Sequence, residues 1–339
     1  MNSAYSVIHP VDQILTSLVQ EAIPSDNQLI ADQVFEKIKI PERSGTLLLE
    51  NTRNFMGAPE LDLKRAPGAS RVSLTEFART SLSFKAENYG LEESIAMEDI
   101  IDSQYPGGEE QRAAKKVRRA LMLAREKRAA DLLFDNTVFT NTDTCSNLMG
   151  GQLDAAGTDA LTGLDKLKDQ IFQNAHGINP DTIILGRGSA RALARNPEFR
   201  SYLTVGDFTG VGVGIAGGGQ LVLNDEAVKA IIRDVLGIPN VYVGSARRET
   251  AVAGATSSEA QIWTDSTIFC GILKGSDAVV QKSGGVKAMP VAALNFDFKP
   301  MFSGQYDSND SVRRSVWVEE QMLYKAIDTS LGFVLTACV

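Results

Sequence analysis

The sequence contains few of the residues on which metal and catalytic centres most often depend. Its 339 residues include only two histidines and three cysteines, and Cys145, Cys270 and Cys338 lie far apart without a CxxC pair. Disulfide frameworks and zinc sites need such residues at close, paired spacings. Neither His9 nor His176 has a partner nearby in the sequence, and His176 stands at the end of a predicted helix. We therefore predict no catalytic, metal or cofactor site, and expect no enzyme activity.

Long apolar runs are also missing. No stretch of about 18 apolar residues occurs, and the first residues, MNSAYSVIHPVDQ, lack the basic and apolar regions of a signal peptide. The sequence therefore predicts neither membrane insertion nor secretion. Hydrophobic residues make up 43% of the chain, enough for a buried core in one elaborated domain or two. The net charge of −8 argues against a dedicated nucleic-acid binder.

What the sequence does contain is one long, highly charged helix over residues 108–134. The segment GEEQRAAKKVRRALMLAREKRAADLLF has no proline and no internal glycine. An apolar stripe at three- and four-residue intervals predicts an amphipathic helix; it consists of Ala113, Val117, Ala120, Leu121 and Ala124. At 1.5 Å per residue the helix spans about 40 Å, which is longer than one small domain needs. Such a helix is expected to brace a larger structure.

The same helix carries eight cations against four acids, a local charge of +4. The candidate basic face consists of Arg112, Lys115, Lys116 and Arg119. A charged helix face is most often simply solvated, and contact with nucleic acid is the alternative.

About sixty residues before this helix have the pattern of extended strands. Residues 46–55 and 81–88 are predicted strands, because Leu82, Phe84 and Ala86 alternate with polar residues. A polar tip, GAPELDLKRAPGASR, lies between them. A lone hairpin buries too little apolar surface to be stable, so another part of the structure must cover it. Residues 1–43 before it are predicted to form an arm with short helices.

After the long helix, short helices and strands alternate. Helices are predicted around 164–171, 189–193 and 225–236, and buried strands at 181–185 and 240–244. The first helix is predicted to end at Gly177 in the C′ position. Residues 261–273 and 313–327 are predicted to be long strands that form a separate sheet and contain Trp263 and Trp317. The pattern as a whole indicates an α+β chain.

The glycine-rich loop, residues 205–219, contains a GxGxxG motif formed by Gly212, Gly214 and Gly217. A dinucleotide site needs a strand before this motif and a helix directly after it, whereas GGQLVL follows here. A nucleotide-binding α/β enzyme is therefore only an alternative interpretation. The adjacent acids, such as Glu319 and Glu320, face opposite ways on regular structure and indicate no acid–base pair.

The order of these segments resembles the major capsid proteins of tailed bacteriophages, with the Hong Kong 97-type fold. The resemblance extends over nearly the whole chain and includes IADQVF ahead of a proline and a short strand, and LGIPNVYVG followed by IWTD. It implies four segments: an N-terminal arm (1–43), an extended E-loop (44–95), a peripheral domain (96–150 and 261–339, with the spine helix at 108–134) and an axial domain (151–260).

The same resemblance implies a structural protein that forms the pentamers and hexamers of an icosahedral shell around double-stranded DNA. It would assemble in the host cytoplasm and reside in the virion, with a portal and decoration proteins as partners. No long helical extension precedes the arm, so we expect a separate scaffolding protein or none.

The resemblance also assigns roles to particular residues. The basic spine face would make weak contacts with packaged DNA. Lys64, Arg65 and Arg71 near the E-loop tip would contact a neighbouring subunit. The loop glycines would approach the five- and six-fold axes, and these are Gly212, Gly214, Gly217, Gly218 and Gly219. A cellular nanocompartment shell of the encapsulin type resembles the same fold and is the nearest alternative, ahead of the nucleotide-binding enzyme.

Overall fold

The computed structural model of the protein shows two larger β-sheets and several two-stranded ones, with one long helix packed against the first large sheet. The structure describes residues 12–20, 29–49, 67–68, 80–103, 108–155, 157–175, 177–205, 214–216, 220–222, 224–252, 254–274, 280–281, 285–286, 291–308 and 312–339. No helix in these ranges is long and apolar enough to cross a membrane.

The first sheet has four strands in the order β1-β15-β16-β4. They are β1 (Lys37–Lys39), β15 (Ala293–Asp307), β16 (Arg313–Ala326) and β4 (Glu87–Ala96). Strand β1 runs parallel to β15, and the other pairs are antiparallel. The predicted strand 313–327 is confirmed to within one residue. The 15-residue partner β15 was not predicted.

The long helix, α4 (Gly108–Leu133), packs against β16 and β4. Its bounds agree with the prediction to within one residue. Ala113, Val117 and Leu121 are buried as predicted, but Ala120 is exposed and Ala124 is only half-buried. The stripe is broader than predicted because the N-terminal helices also pack on α4. These are α1 (Gln13–Gln20) and α2 (Ala31–Val34).

A two-stranded hairpin precedes β4 and consists of β2 (Ser44–Leu49) and β3 (Thr80–Lys85). The predicted strand 81–88 is wrong in one respect, because it is divided at Ala86. Strand β3 pairs with β2, whereas β4 pairs with β16, so the chain changes sheets at this one residue. Ala86 is fully buried, and its N–H donates to the carbonyl oxygen of Arg43 over 2.7 Å. The predicted alternation is confirmed, since Leu82 and Phe84 are more buried than their neighbours.

One short helix lies on each side of α4 in the chain: α3 (Met97–Asp102) precedes it and α5 (Cys145–Met149) follows it. The second sheet comes next, with five strands in the order β5-β17-β12-β6-β9. They are β5 (Thr142–Thr144), β17 (Gly332–Thr336), β12 (Ile268–Gly271), β6 (Thr182–Gly186) and β9 (Asn240–Gly244).

The prediction of one long strand at 261–273, in a separate sheet with 313–327, is wrong. Instead, β11 (Glu259–Gln261) pairs with β10 (Arg247–Glu249), and β12 belongs to the five-stranded sheet. Trp263 lies between β11 and β12 rather than in a strand, because its indole packs inward against Phe134. Strands from both sides of the predicted domain boundary at residue 260 therefore share one sheet.

Three helices pack against this second sheet: α6 (Ala160–Asn174), α7 (Arg187–Arg195) and α9 (Asp225–Leu236). A further helix, α8 (Pro197–Val205), was not predicted. It begins at a proline, which is favoured at the first position of a helix. The bounds predicted for α9 are confirmed. Gly177, with φ of 93°, donates its N–H to the carbonyl of Phe172 and ends α6, two residues past the cap rather than one.

One close approach in the second sheet leads to a stability prediction. A Cβ added at Gly244 would lie 2.3 Å from the ring of the fully buried Trp263. We expect Gly244→Ala to lower the free energy of unfolding by about 1–3 kcal/mol, measured by urea denaturation, because the indole has no room to move. Gly90→Ala is the matched control, since its Cβ would meet only the flexible side chain of Glu319. Equal losses for the two variants would show that the Trp263 contact is unimportant.

Candidate functional site

The most elaborate polar site in the described structure joins helix α2, in the predicted N-terminal arm, to helix α4 and strand β16. Its members are Asp32, Arg125, Arg128 and Glu320, which we call the arm-anchor cluster. Arg125 donates from Nη1 to both carboxylate oxygens of Asp32, over 2.7 and 2.8 Å. Its Nε donates to Glu320 over 3.1 Å, and Arg128 donates to the second oxygen of Glu320 over 2.6 Å. Glu320 thus bridges two arginines of the same helix.

The side chains of the cluster are largely buried, and burial strengthens the interaction between their charges. The side chain of Glu320 is 1% exposed and that of Arg125 is 12% exposed. Burial alone would raise the pKa of Asp32, but Arg125 and Lys37 outweigh it and hold this pKa below its usual value. Burial also tends to lower the pKa of Arg125, and the nearby carboxylates of Glu320 and Asp32 raise it instead. Asp32 and Arg125 are therefore both ionised near neutral pH.

A second buried carboxylate, Glu126, lies next to the cluster on α4. Its Oε1 accepts the backbone N–H of Ala31, at the start of α2, over 2.6 Å. Its Oε2 accepts the indole N–H of Trp263, also over 2.6 Å. Burial raises the pKa of Glu126 to about 7, against an ordinary value of 4.5. One side chain therefore links the arm, the long helix and the start of the second sheet.

Helix α1 is held by a different group of bonds. The buried Arg118 of α4 donates from Nε to the carbonyl of Val19 over 2.5 Å. Thr16 and Gln20 donate to the backbone of β15, at Ser303 and Met301 respectively. The described part of the arm is thus attached to α4 and the four-stranded sheet at several points. These groups bind and position segments of the chain, and none of them is arranged around a reacting atom.

A second polar surface lies on helix α7. Arg187, Arg191 and Arg195 are all exposed, and we call them the arginine row. Their spacing of four residues places them on one face of the helix, about 6 Å apart along its axis. Among the residues that the structure describes, none of the three forms an ion pair. The row lines an open depression of about 600 Å³ together with Arg200.

The arginine row was not predicted from the sequence, although its signal is present there. In RGSARALAR the arginines recur every four residues while Ala190, Leu193 and Ala194 are apolar. That is the pattern of a helix with one buried and one basic face.

Comparison with known proteins shows which fold this chain shares. No family model matches the chain. A major capsid protein of Pseudomonas phage JBD67 is 23% identical over 268 residues, covering 77% of this chain and 76% of that protein. A phage-related protein from Bordetella bronchiseptica RB50 superposes with a TM-score of 0.66 at 16% identity, covering 97% of this chain and 98% of the other. A capsid structure of cyanophage P-SCSP1u gives a TM-score of 0.52 at 12% identity, covering 89% and 86%.

The chain has the Hong Kong 97-type capsid fold. The likeness covers nearly the full length of both chains in the Bordetella comparison. The α+β fold class and the resemblance to phage capsid proteins, both predicted from the order of the segments, are confirmed. Sequence identities of 12–16% show a shared fold but not shared roles of individual residues. Those roles are inferred from the contacts of each residue in this chain.

Within this capsid fold, the predicted basic face of α4 is divided among different environments. Arg112 pairs with Glu109 over 2.8 Å, and Lys116 pairs with Glu93 of β4 over 2.5 Å. Lys115 is exposed and Arg119 is half-buried. The other four cations of the helix bind acceptors within the same chain: Arg118, Arg125, Lys127 and Arg128. The role of the four candidates in binding DNA stays a prediction.

Most of the other predicted site residues lie outside the described residues. These are Lys64, Arg65 and Arg71 of the predicted E-loop tip, and Gly212, Gly217, Gly218 and Gly219 of the glycine-rich loop. Gly214 is described, and it begins strand β7 (Gly214–Ala216), which pairs with β8 (Gln220–Val222). A strand therefore starts inside the GxGxxG motif, where a dinucleotide fingerprint requires the turn into a helix. This geometry disfavours the nucleotide-binding alternative.

Proposed function

We propose that this protein is the major capsid protein of a tailed bacteriophage. In this role it forms the pentamers and hexamers of an icosahedral shell that encloses double-stranded DNA, and it is structural rather than enzymatic. The observation that carries the proposal is the capsid fold over nearly the whole chain, supported by sequence similarity to a phage protein named as a major capsid protein.

The hairpin β2–β3 supports an assembling role. Two strands alone bury too little apolar surface to be stable, and three or more strands or a covering element are needed. Leu82 and Phe84 are only half-buried within the single chain, although Phe84 stacks on Phe296 with ring centroids 5.0 Å apart. A neighbouring subunit would complete this packing. Such a heterologous contact, repeated around an axis, closes a ring.

We assign the segments of the chain accordingly. Residues 1–43 form the arm, 44–95 the E-loop, 96–150 and 261–339 the peripheral domain, and 151–260 the axial domain. Strands β12 and β17 belong to the proposed peripheral domain. They join the five-stranded sheet with β6 and β9 of the proposed axial domain, and this shared sheet ties the two domains together. The loop that contains Gly214 would approach the five- and six-fold axes. A scaffolding protein, a portal and decoration proteins are the proposed partners, with assembly in the host cytoplasm.

Size-exclusion chromatography with light scattering, followed by negative-stain microscopy, tests this function on the purified chain. We expect megadalton hollow shells or rings of five and six subunits, because the hairpin needs a partner. In particles from infected cells we expect double-stranded DNA. A packaged protein cargo in place of DNA would favour the nanocompartment alternative. A monomer or dimer that forms no rings even with scaffold or crowding agents, and whose melting temperature rises with NAD, would overturn the proposal.

A further inference from the structure

The two arginine-rich helices of the protein use their cations differently. On α4, five of the cations have carboxylate partners within the same chain: Arg112, Lys116, Arg125, Lys127 and Arg128. On α7, the arginine row has no ion pair within the described residues. The positive charge available to an outside partner is therefore more concentrated on α7, although the sequence has more cations on α4.

The acids close to the row are engaged elsewhere. Glu198 accepts the backbone N–H of Leu161 over 2.7 Å and the hydroxyl of Thr162 over 3.1 Å, at the start of α6. Asp265 accepts the backbone N–H of Gly188 over 2.5 Å. Hydrogen bonds of this kind hold a carboxylate in place. Asp265 lines a second depression with Arg187 and Arg191, but it forms no ion pair with either within the described residues.

Two further acids line the same depression, and both have local roles. Glu226 pairs with Lys229 over 2.8 Å. Asp225 lies in the first turn of α9, where a carboxylate is favoured by the helix dipole. Neither forms an ion pair with the arginine row within the described structure.

The chemistry and spacing of the row fit a polyanion with a regular repeat. Guanidinium groups bind phosphate and carboxylate in a bidentate manner, and arginine is preferred over lysine where such recognition matters. The three arginines span about 12 Å along the helix axis. Over that distance one strand of B-form DNA presents roughly three to four phosphates.

We propose that the arginine row of α7 binds the phosphate backbone of double-stranded DNA, independently of base sequence. The inference rests on the proposed function, which places DNA inside the shell. It differs from the earlier prediction for α4, since it assigns the main contact to α7. The overall charge of −8 repels DNA from other parts of the surface, so a local row of arginines that form no ion pair with any described residue provides a defined point of contact.

Fluorescence anisotropy with a labelled duplex of about 25 base pairs, over about 50 to 200 mM salt, tests the proposal on the full-length, unassembled subunit. The variant is Arg187→Gln, Arg191→Gln and Arg195→Gln combined. The matched control removes three cations from α4, by Arg112→Gln, Lys115→Gln and Lys116→Gln. We expect the α7 variant to lose at least about tenfold in affinity and its salt slope to fall by about 2.7, the value for three phosphates. The α4 control is expected to stay within about twofold of the natural protein.

Equal losses in the two triple variants, or no binding by the natural protein, would overturn the proposal. An α7 variant that binds DNA normally but no longer forms shells would show that the row contacts an acidic surface of a second copy instead. Shell formation is followed in parallel by microscopy, so normal shells with unchanged DNA affinity would refute this inference and leave the capsid function intact. Arg191→Gln alone guards against misfolding of the triple variant, with an expected slope change of about 0.9.

Discussion

Replacing Glu320 by alanine is expected to lower the free energy of unfolding by about 3–5 kcal/mol, the usual cost of breaking a buried ion pair on one side. Arg125 would keep its ion pair with Asp32, whereas Arg128 would lose its one ion-pair partner within the described structure. The Arg128 guanidinium also lies 3.6 Å from the ring centroid of Tyr89, so it has little freedom to turn toward water. Urea denaturation of the unassembled subunit measures the change.

The control for this variant is Asp131→Ala on the same helix. Asp131 pairs with Lys127, but its side chain is 59% exposed. An exposed pair at this spacing contributes only about 0.3–0.5 kcal/mol. If Glu320→Ala and Asp131→Ala had similarly small effects, the arm-anchor cluster would not stabilise the fold.

The second large effect is a pH dependence that originates at Glu126. The pKa of Glu126 is about 7 in the folded protein, against an ordinary value of 4.5. Between pH 4.5 and 7 the folded state therefore keeps the Glu126 proton, whereas the unfolded state loses it. This contribution to stability is complete below pH 4.5 and is lost as the pH rises through 7. At about 1.4 kcal/mol per pKa unit, the loss is on the order of 3 kcal/mol.

Glu126→Gln is expected to remove this dependence. An amide cannot ionise, so the free energy of unfolding of the variant should change less with pH between 4.5 and 7 than that of the natural protein. The amide NH₂ cannot accept a hydrogen bond, so one of the two N–H donors, of Ala31 or Trp263, would lose its acceptor. We therefore also expect a loss of about 1–3 kcal/mol in the acidic part of the range. Denaturant titrations at several pH values measure both effects.

Asp135→Asn is the control for the pH series. Hydrogen bonds from Thr137 lower the pKa of Asp135 below its ordinary value of 3.8. The contribution of Asp135 to stability is therefore lost only as the pH falls below the range from 4.5 to 7. Its curve should therefore run parallel to that of the natural protein between pH 4.5 and 7. If the Glu126→Gln curve ran parallel as well, Glu126 would not be the source of the pH dependence.

The elements that could be predicted from the sequence are those with a regular local pattern. Helix α4 has an apolar stripe, acids in its first turn and no internal glycine, and its bounds were predicted to within one residue. Strand β15 was missed because its pattern is irregular: Pro300 lies within it, and the pairing with β16 shifts between Asp297 and Phe302. Such shifts interrupt the alternation of buried and exposed residues from which a strand is recognised.

The candidate sites were harder to predict because they depend on distant segments. Asp32 and Arg125 are 93 residues apart, and Arg125 and Glu320 are 195 apart, so no local spacing indicates the arm-anchor cluster. The opposite orientation of Glu319 and Glu320 was predicted correctly, but not that the buried one would bind two arginines. The charge of α4 was equally visible in the sequence, whereas its neutralisation by acids such as Glu93 and Asp32 was not.

The change of sheets at Ala86 has a mechanical consequence for the hairpin. A strand of six residues is about 20 Å long, so a rotation of about 10° at its base moves its far end by about 3.5 Å. That rotation needs changes in only a few backbone angles around Ala86, while β4 stays paired with β16. Phe84 would move with the hairpin, so its stack on Phe296 of β15 would adjust as the inclination changes. In the proposed shell, Ala86 would be the pivot at which the hairpin follows the curvature.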